Sequence, residues 1–404
     1  MNTMTLPSKK QAGVCLHLAS LPGEYGIGEI GNTAFALIDM LSSMKLAVWQ
    51  FLPTGPTAYG DSPYQSLSTI AGNELLIDVE ALIQLNLLKQ HEAKALRDLP
   101  QNIVDYGRLI PLKNALLAKA ADSFISLSNS ALKADFDQYR QDNDEHWLHD
   151  YAIYRVLKSR HGEKPWPEWD QPFVHRDGAA IAKLEKVARH QIVGIKVLQF
   201  LFHHQWHALQ SYASEKGVRL FGDMPIYVAL DSADAWAHPE LLRIDRDGKP
   251  DYVAGVPPDY FSDDGQLWGN PLYDWDQHAA NGFTWWTERL RHAISLADLV
   301  RIDHFRGFAG FWSVPAESRT ARDGRWEAGP GAAVFEAMHN ALGDLPIVAE
   351  DLGVITPAVE SLRDRYQIPG MKVLQFEVTK ADFDVADIGE NCVCYTGKIG
   401  RAHV

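Results

Sequence analysis

Two acidic side chains, Asp303 and Glu350, have the types and settings that chemistry on a sugar bond requires. Each ends a short apolar run, LVRID at 299–303 and PIVAE at 346–350, and each is followed by a polar loop. A buried parallel strand delivers a carboxylate to the mouth of an α/β barrel in this way. Two such groups can cleave a glycosidic bond with retention, because one attacks as the nucleophile and the other protonates the leaving oxygen.

Arg301 and His304 favour this interpretation over a simpler one, in which an acid at the end of a strand only caps the next helix. Arg301 lies two residues before Asp303 and therefore on the same face of the strand, where its fixed charge can hold the carboxylate ionised. An arginine in a buried strand is costly without such a partner. The sequence therefore predicts an active site around these side chains.

The acids need a scaffold of parallel strands, and the sequence alternates strand-like and helix-like segments that supply one. Apolar runs predict seven strands, at 13–18, 46–52, 219–223, 299–303, 346–350, 372–376 and 392–396. Helical periodicity lies between them, at 33–44, 191–215, 284–295, 332–342 and 357–366. This order predicts an α/β fold, the (β/α)8 TIM barrel, as one catalytic domain over residues 10–397. Asp303 and Glu350 would then end two neighbouring strands.

Two long segments interrupt the alternation and are predicted to be insertions. Residues 80–175 are mostly helical and polar, which indicates an inserted helical subdomain. Residues 231–282 are rich in glycine, proline and aromatic residues, and they are predicted to form a loop-rich insertion that covers a substrate. The predicted barrel therefore carries one helical addition and one covering loop.

Composition argues against several kinds of partner. The 404-residue chain has a formal net charge of -14 and lacks the basic patch that nucleic acid requires. Its start, MNTMTLPSKK, has no apolar core of a secretory signal, and nowhere do about eighteen apolar residues run together to cross a membrane. The three cysteines, Cys15, Cys392 and Cys394, form no disulfide-like pattern, which favours a reducing compartment and predicts a cytoplasmic protein.

Three short motifs that resemble cofactor or metal sites have plainer explanations. Residues 26–31, GIGEIG, match a dinucleotide fingerprint, but the next strand does not end in the acid that the fingerprint requires, so a turn is preferred. His203 and His207 share a helix face without the glutamate of a zinc protease. Cys392 and Cys394 have the wrong spacing for zinc. The sequence therefore predicts neither a cofactor nor a metal site.

Five longer motifs surround the two acids and are specific. They are RIDHFRGF (301–308), AEDLG (349–353), GPTAYGDSPYQS (55–66), GDMPIYVALDSADAW (222–236) and AGVPPDYFSDDGQLWGNPLY (254–273). Together they resemble the amylomaltase family, the 4-α-glucanotransferases or disproportionating enzymes of the α-amylase-like clan. The similarity extends over residues 10–397.

This resemblance implies an activity and a role for each side chain. The family moves α-1,4-glucan segments between maltooligosaccharides by a retaining double displacement, without a metal ion. Asp303 would be the nucleophile that forms a β-glucosyl enzyme, and Glu350 would be the general acid and then the base. Similarity also places around the donor sugar Tyr59, Asp61, Ser62, Asp223, Asn270, Pro271, Arg301 and His304. The loop that covers the glucan would use Tyr260, Phe261, Gln266 and Trp268.

A covering loop also makes physical sense for such a transfer. The enzyme must pass its glucosyl group to a sugar hydroxyl rather than to water, although water is far more abundant. Acceptor binding and water exclusion must therefore supply the selectivity, and the aromatic residues of 260–268 are suited to both tasks. The alternative is that these aromatic side chains only pack the loop's own small core.

The chain departs from the family pattern at its end. In the family, a sequence like VCYTG at 393–397 continues into THDND, whose first aspartate binds the sugar's 2- and 3-hydroxyls, whereas this chain continues with Lys398. The expectation is therefore a barrel truncated after its seventh strand, with a non-native tail at 398–404. A third acid that acts only in the transition state is worth about 10² to 10³ in rate, so this fragment is expected to be essentially inactive. Because the missing eighth strand would leave an open sheet edge, the fragment is also expected to be poorly soluble.

Two alternatives to a transferase remain open. The first is an α-glucan hydrolase that uses the same barrel, nucleophile and acid. The second is a non-catalytic glycan-binding protein that has lost its third acid. Sugar products separate the first alternative from a transferase, and the native sequence past Gly397 separates the second.

Overall fold

The computed structural model describes residues 10–128, 130–259, 262–379, 382–384, 386 and 388–397, without the side chain of Tyr59. Its strands alternate with helices along most of the chain, as expected from the sequence. The strands are β1 (Gly13–Cys15), β2 (Val48–Gln50), β3 (Arg219–Met224), β4 (Tyr252–Val256), β5 (Gln266–Pro271), β6 (Leu299–Ile302), β7 (Gly310–Pro315), β8 (Arg325–Ala328), β9 (Ile347–Ala349), β10 (Gly370–Val373) and β11 (Cys392–Tyr395).

The helices surround the parallel strands or lie in the segments between them. They are α1 (Asn32–Ser43), α2 (Val79–Gln84), α3 (Lys94–Arg97), α4 (Tyr106–Ile125), α5 (Ala131–Asn143), α6 (His149–Arg160), α7 (Gln171–Val174), α8 (Gly178–Glu215), α9 (Ala233–Ala237), α10 (Trp275–Ala280), α11 (Thr284–Leu296), α12 (Ala332–Leu342), α13 (Pro357–Arg365) and α14 (Leu374–Glu377).

The parallel strands follow one another in chain order, which is the arrangement of a (β/α) barrel. One sheet has the order β1-β2-β3-β6-β9, with every pair parallel, and β10 pairs with β11, also in parallel. The amide of Ala349 in β9 donates to the carbonyl of Pro369, 2.8 Å away, and so joins β9 to the segment that enters β10. Successive parallel neighbours with helices between them confirm the predicted α/β barrel fold class.

One predicted strand is wrong in its bounds. The sequence predicts a strand at 372–376, but β10 ends at Val373 and a helical turn, Leu374–Glu377, follows it. A short apolar run cannot by itself distinguish a strand from a helix. The register decides it, because β10 pairs with β11 only from Gly370 to Val373.

The longest helix, α8, begins well before the predicted helix at 191–215. It has 38 residues and starts at Gly178, where the Asp177 side chain accepts a hydrogen bond from the amide of Ala180. This cap satisfies one of the free amides of the first turn. α8 packs with four helices of segment 80–175, which are α4, α5, α6 and α7.

A buried polar network attaches this helical segment to the loop after β3. Asp231 accepts hydrogen bonds from the hydroxyl of Tyr154 at 2.7 Å and from the ammonium of Lys158 at 2.6 Å. The indole of Trp166 donates to the carbonyl of Leu230 at 2.7 Å. Since this loop directly follows β3, which carries Asp223, the helical segment supports the site from outside the strands.

The segment 231–282 is more regular than the sequence predicts. Its strands β4 and β5 pair with each other and, through β7 and β8, form an antiparallel sheet in the order β5-β4-β7-β8. Glycines and prolines interrupt the alternation of apolar residues in these strands, so the pattern resembles a loop. The segment therefore contains two strands that the sequence did not predict, between stretches of loop.

The GIGEIG motif forms a tight turn that is locked by a buried ion pair. Gly28 must be glycine, because a Cβ there would lie 2.0 Å from the carbonyl oxygen of Leu18. The carboxylate of Glu29 contacts the ammonium of Lys113 in α4, and both side chains are buried. Burial raises the pKa of Glu29 to about 7, although Lys113 opposes the shift. The motif therefore attaches the first loop to α4, as a structural turn would.

Removal of this buried cation is expected to destabilise the fold. Lys113→Met leaves Glu29 buried without its partner, so we expect the free energy of unfolding to fall by about 3 kcal/mol in urea titrations. Lys119→Met on the same helix is the matched control, because Lys119 is 59% exposed in its pair with Glu92. The control should change stability by less than about 0.5 kcal/mol. Equal losses for the two variants would contradict the assignment.

Within the described ranges, none of the helices is long and apolar enough to cross a membrane.

Candidate active site

Three neighbouring strands deliver three carboxylates to the same end of the barrel. Asp223 lies in β3, Asp303 directly follows β6, and Glu350 directly follows β9. The amide of Asp303 donates to the carbonyl of Met224 at 3.0 Å, and the amide of Glu350 donates to that of Ile302, also at 3.0 Å. The ladder thus continues past the strand ends and holds the three acids side by side.

Arg301 is the charged centre of this group. In the register of β3 and β6, Arg301 is opposite Asp223, so the two side chains lie on the same side of the sheet. Its Nη1 atom donates to Asp223 Oδ1 and Oδ2 at 2.7 and 2.6 Å, and its Nη2 atom donates to Asp303 Oδ1 at 2.5 Å. The structure therefore brings together Arg301 and Asp303, which the sequence placed on one strand face, and adds Asp223 as a second partner.

Glu350 has the environment of a proton donor. Its Oε2 atom accepts a hydrogen bond from the amide of His304 at 2.8 Å, and its Oε1 atom accepts one from the amide of Leu352 at 3.1 Å. Burial, with help from the negative charge of Asp303, raises the pKa of Glu350 to about 7. Such a carboxyl group is partly protonated at neutral pH, whereas Asp303 is held by a guanidinium. Two acids in different environments can take different roles.

His304 directly follows Asp303 and adopts the strained left-handed region, with φ 52°. Its ring lies 4.8 Å from that of Trp268, edge to face. Burial and then the charge of Arg306 lower its pKa to about 3, so the imidazole is neutral. Its Nε2 atom is buried without a hydrogen-bond partner in the described part of the chain. A buried polar atom of this kind is suited to a ligand hydroxyl.

The loop after β2 reaches the site through a residue that the sequence predictions did not single out. The hydroxyl of Tyr64 donates to Asp223 Oδ2 at 2.7 Å, and the amide of Tyr64 donates to Ser62 Oγ at 3.3 Å. Asp61 has φ 51°, and burial raises its pKa. The side chain of Tyr59 lies outside what the structure describes. Tyr64 belongs to the GPTAYGDSPYQS motif, so membership of that motif is the sequence feature that could have identified Tyr64 as a site residue.

The structure describes two of the four residues assigned to the covering loop, Gln266 and Trp268. The Trp268 indole donates to Gln266 Oε1 at 3.1 Å. The Trp268 ring also contacts the ring of His304. Tyr260 and Phe261 lie outside the described residues. The two described residues of the predicted covering loop therefore both lie on β5.

Asn270 and Pro271 end β5 and are buried. The Asn270 amide donates to the carbonyl of Val228 at 2.8 Å, in the loop after β3. Pro271 is opposite Val253 in the antiparallel sheet. In this structure, then, Asn270 ties β5 to a site loop and Pro271 completes the sheet.

Two contacts join β10 and β11 to the earlier strands, and one of them is made by Arg301. Its Nε atom lies 3.4 Å from the sulfur of Met371 in β10. The hydroxyl of Tyr395 in β11 donates to Gln50 Oε1 at 2.7 Å. A glutamine inside the buried strand VWQ is a signal that sequence analysis can use, whereas nothing in the sequence singles out Met371. The segment in which the third acid is expected begins at Lys398 and lies outside the described residues.

A cleft of about 710 Å³, including its open mouth, lies beside Tyr64 and Asp223. Its walls also include Gly222 and Val300, which alternate along their strands with Asp223 and Arg301. The cleft therefore runs partly behind the strands, toward α11, and the carboxylates of Asp303 and Glu350 are not part of its walls.

The histidine and cysteine motifs do not form a metal centre in the described part of the chain. The rings of His203 and His207 lie 4.1 Å apart on α8, as the sequence predicts for one helix face. Among described residues, no three His, Cys, Asp or Glu side chains are grouped so that they could hold a metal ion. Cys15, Cys392 and Cys394 are free thiols.

Comparison with known proteins agrees with this geometry. A family model described as 4-alpha-glucanotransferase matches residues 16–398. The 4-alpha-glucanotransferase of Thermus thermophilus is 45% identical over 373 residues, which cover 92% of this chain and 73% of the relative. That of Streptococcus pneumoniae serotype 4 is 42% identical over 395 residues, 96% of this chain and 77% of the relative.

A solved structure is similar over the same extent. The amylomaltase from Streptococcus agalactiae in complex with acarbose has a TM-score of 0.92 and 38% identity to this chain. The match covers 96% of this chain and 79% of that protein. With the family match and the two relatives, this shows that the chain belongs to the 4-alpha-glucanotransferase family.

Proposed function

We propose that this protein transfers α-1,4-glucan segments between maltooligosaccharides by a retaining double displacement. The observation that carries the proposal is the pair Asp303 and Glu350 on adjacent strand ends, one held by Arg301 and the other with a raised pKa. Family membership and the names of the relatives support the same reaction. Maltooligosaccharides and α-1,4-glucans are the proposed substrates.

In the first half of the reaction, Asp303 attacks the anomeric carbon of the donor from the β face. The bond between that carbon and the glycosidic oxygen breaks, and Glu350 gives its proton to the oxygen that leaves. The result is a β-glucosyl ester on Asp303 and a shortened glucan. Arg301 orients the nucleophile, because its guanidinium binds Asp303 and Asp223 together.

In the second half, Glu350 is a carboxylate and removes the proton of an acceptor's 4-hydroxyl. The acceptor oxygen attacks the anomeric carbon from the α face, the ester bond to Asp303 breaks, and an α-1,4 bond forms. The two inversions together retain the configuration. Tyr64, Asp61, Ser62 and His304 are proposed to bind the donor sugar, with the free His304 Nε2 atom as one hydrogen-bonding group.

Transfer rather than hydrolysis requires that water be excluded while the ester waits for an acceptor. The proposed cover is the segment with Trp268 and Gln266, together with Tyr260 and Phe261 from the same loop. Trp268 supports this role, because its ring packs at the edge of the His304 ring beside the carboxylates. Asn270 and Pro271 are proposed to position that loop rather than to bind sugar.

Product analysis tests the proposal with the full-length protein expressed from its native gene. Incubation with maltotriose should release glucose and also form oligomers longer than maltotriose, because each glucosyl ester is passed to another sugar. Shorter sugars alone would show a hydrolase instead. Unchanged maltotriose together with sugar binding would show a non-catalytic glycan-binding protein.

The raised pKa of Glu350 predicts how the rate depends on pH. Glu350 must carry its proton in the first half, and burial raises its pKa to about 7, so kcat/KM should fall as the pH rises through 7. Glutamine cannot titrate, so Glu350→Gln should lose this alkaline limb along with most of its activity. Initial rates with α-glucosyl fluoride, whose leaving group needs little protonation, should show a weaker alkaline limb in the wild type. An unchanged limb with the fluoride would assign it to another group.

A further inference from the structure

An exposed tryptophan lies next to the loops that carry the two carboxylates. Trp326 in β8 is 44% exposed, although most large aromatic side chains of the chain are buried. The Arg306 guanidinium lies 3.9 Å from the centre of its ring. Arg306 belongs to the turn Phe305–Phe308, which directly follows His304. The exposed ring is therefore packed on the loop of the proposed nucleophile.

The same arginine also connects the ring to the loop of the proposed acid. Arg306 Nη1 donates to the carbonyl of Val354, which lies in the loop after Glu350. The Val354 side chain is 59% exposed. We call Trp326, Arg306 and Val354 the outer patch. It joins a flat aromatic surface and an exposed aliphatic group, and both are held against the two loops of the active site.

The ring of Trp326 is held in place rather than free. It is opposite Trp312 in the register of β7 and β8, and the two ring centres are 5.1 Å apart in an edge-to-face contact. Trp312 is in turn fixed, because its indole donates to the carbonyl of Ala321 at 2.8 Å. A ring that is already ordered loses little conformational freedom when a ligand stacks on it.

We propose that the outer patch is a subsite for a glucose unit of an α-glucan chain, beyond the sugars held at the two carboxylates. The inference rests on the proposed function, which brings a chain of glucose units to this end of the barrel. The face of a glucose ring is rich in C–H groups and packs on an exposed indole, while its hydroxyls remain in water. Arg306 covers one face of the Trp326 ring, and the remaining exposed indole surface is offered to a sugar beside the loops of both catalytic groups. It would favour long glucans over short ones, because only a long chain reaches it.

The test measures binding and rate with Trp326→Ala and Trp326→Phe in the full-length protein from its native gene. Calorimetry in the Glu350→Gln background should show that Trp326→Ala raises the Kd of maltoheptaose about five- to tenfold. The Kd of maltotriose should stay within about twofold, and Trp326→Phe should recover most of the loss. With Glu350 present, the ratio of kcat/KM for maltoheptaose to that for maltotriose should fall by the same factor in Trp326→Ala.

Arg325→Ala is the matched control. Arg325 is the neighbour of Trp326 on β8 and is 58% exposed, but it projects to the other side of the strand, where it pairs with Glu327. The control should leave the chain-length ratio unchanged. If Trp326→Ala weakened both sugars equally, or neither, or if the unaltered protein did not prefer maltoheptaose, the subsite would be overturned. If the protein bound maltoheptaose through Trp326 but did not transfer glucan, the proposed function would fail and the subsite would stand.

Discussion

Replacement of Asp303 by alanine is expected to reduce glucan transfer by about 10⁴ or more, because no other group can form the glucosyl ester. Glu350→Ala is expected to lose about 10² to 10⁴ with maltooligosaccharides, which need a proton on the leaving oxygen. The loss should be much smaller for the first step with α-glucosyl fluoride. Initial rates of glucose release from maltotriose and of fluoride release measure both effects.

Azide distinguishes the two roles, because a small anion can occupy the space left by either carboxylate. In Glu350→Ala the β-glucosyl ester still forms from α-glucosyl fluoride, and azide then attacks from the α face to give α-glucosyl azide. In Asp303→Ala azide enters from the β face and displaces fluoride directly to give β-glucosyl azide. The anomers are distinguished by the proton coupling at the anomeric carbon. The same anomer from both variants would rule out the assigned roles.

Asp298→Asn is the matched control for Asp303. Asp298 precedes β6, at the other end from Asp303, and its carboxylate accepts a hydrogen bond from the amide of Leu220 at 2.8 Å. The control removes a negative charge without touching the proposed site, and the asparagine oxygen can still accept the Leu220 hydrogen bond. Its rates should stay within about twofold of the wild type, because its only expected effect is on stability.

Local pattern was enough to predict the position of the two carboxylates. An apolar run that ends in an acid is enough to predict the end of a strand. Asp303 and Glu350 could therefore be placed at the ends of adjacent strands from their local sequences and the order of the strands. The period of two along a strand also predicted that Arg301 and Asp303 share a face, and the structure has them in contact. These inferences succeed because each uses only a few neighbouring residues.

Contacts between distant segments could not be predicted in the same way. The pairing of Arg301 with Asp223 depends on the register of β3 against β6, and the contact of Tyr64 with Asp223 depends on how a long loop folds over the strands. No local pattern encodes either. Asp223 was assigned through family resemblance, whereas Tyr64 was quoted within a motif and not selected.

The antiparallel sheet was missed for a different reason. Its strands are interrupted by residues that favour turns, such as Gly255 in β4 and Gly269 in β5. Gly269 has φ 78°, which favours glycine and breaks the alternation of a strand. Asn270, the residue after Gly269, donates its amide to the carbonyl of Val228, a contact between distant segments that the local pattern does not encode.

Arg301→Met is expected to reduce both activity and stability. The side chain is nearly buried, at 14% exposure, and its removal leaves Asp223, which is fully buried, beside Asp303 without a cation. We expect kcat to fall by about 10² to 10³, because the nucleophile loses its orientation and its charge partner. We also expect the free energy of unfolding at pH 8 to fall by about 3 to 5 kcal/mol, the typical cost of breaking a buried pair.

The stability loss should depend on pH in a direction set by Asp223. Burial, opposed by Arg301, raises the pKa of Asp223 from 3.8 to about 6. Without Arg301 that pKa rises further, so the folded variant holds a proton that the unfolded chain releases above pH 4. A folded-state pKa above the unfolded value gives stability at low pH that is lost as the pH rises. Urea titrations of Arg301→Met should therefore show a smaller deficit at pH 5 than at pH 8.

A second substitution separates the stability effect from the catalytic one. Arg301→Met with Asp223→Asn removes the charge that Arg301 neutralises, so most of the stability at pH 8 should return while the activity stays low. Arg365→Met is the control for loss of a surface pair, because Arg365 is 57% exposed beside Glu336. It should cost less than about 0.5 kcal/mol. Two results would show that Arg301 stabilises the barrel through packing rather than through its charge. One is a loss of unfolding free energy in Arg301→Met that is larger at pH 5 than at pH 8. The other is a loss that Asp223→Asn does not relieve.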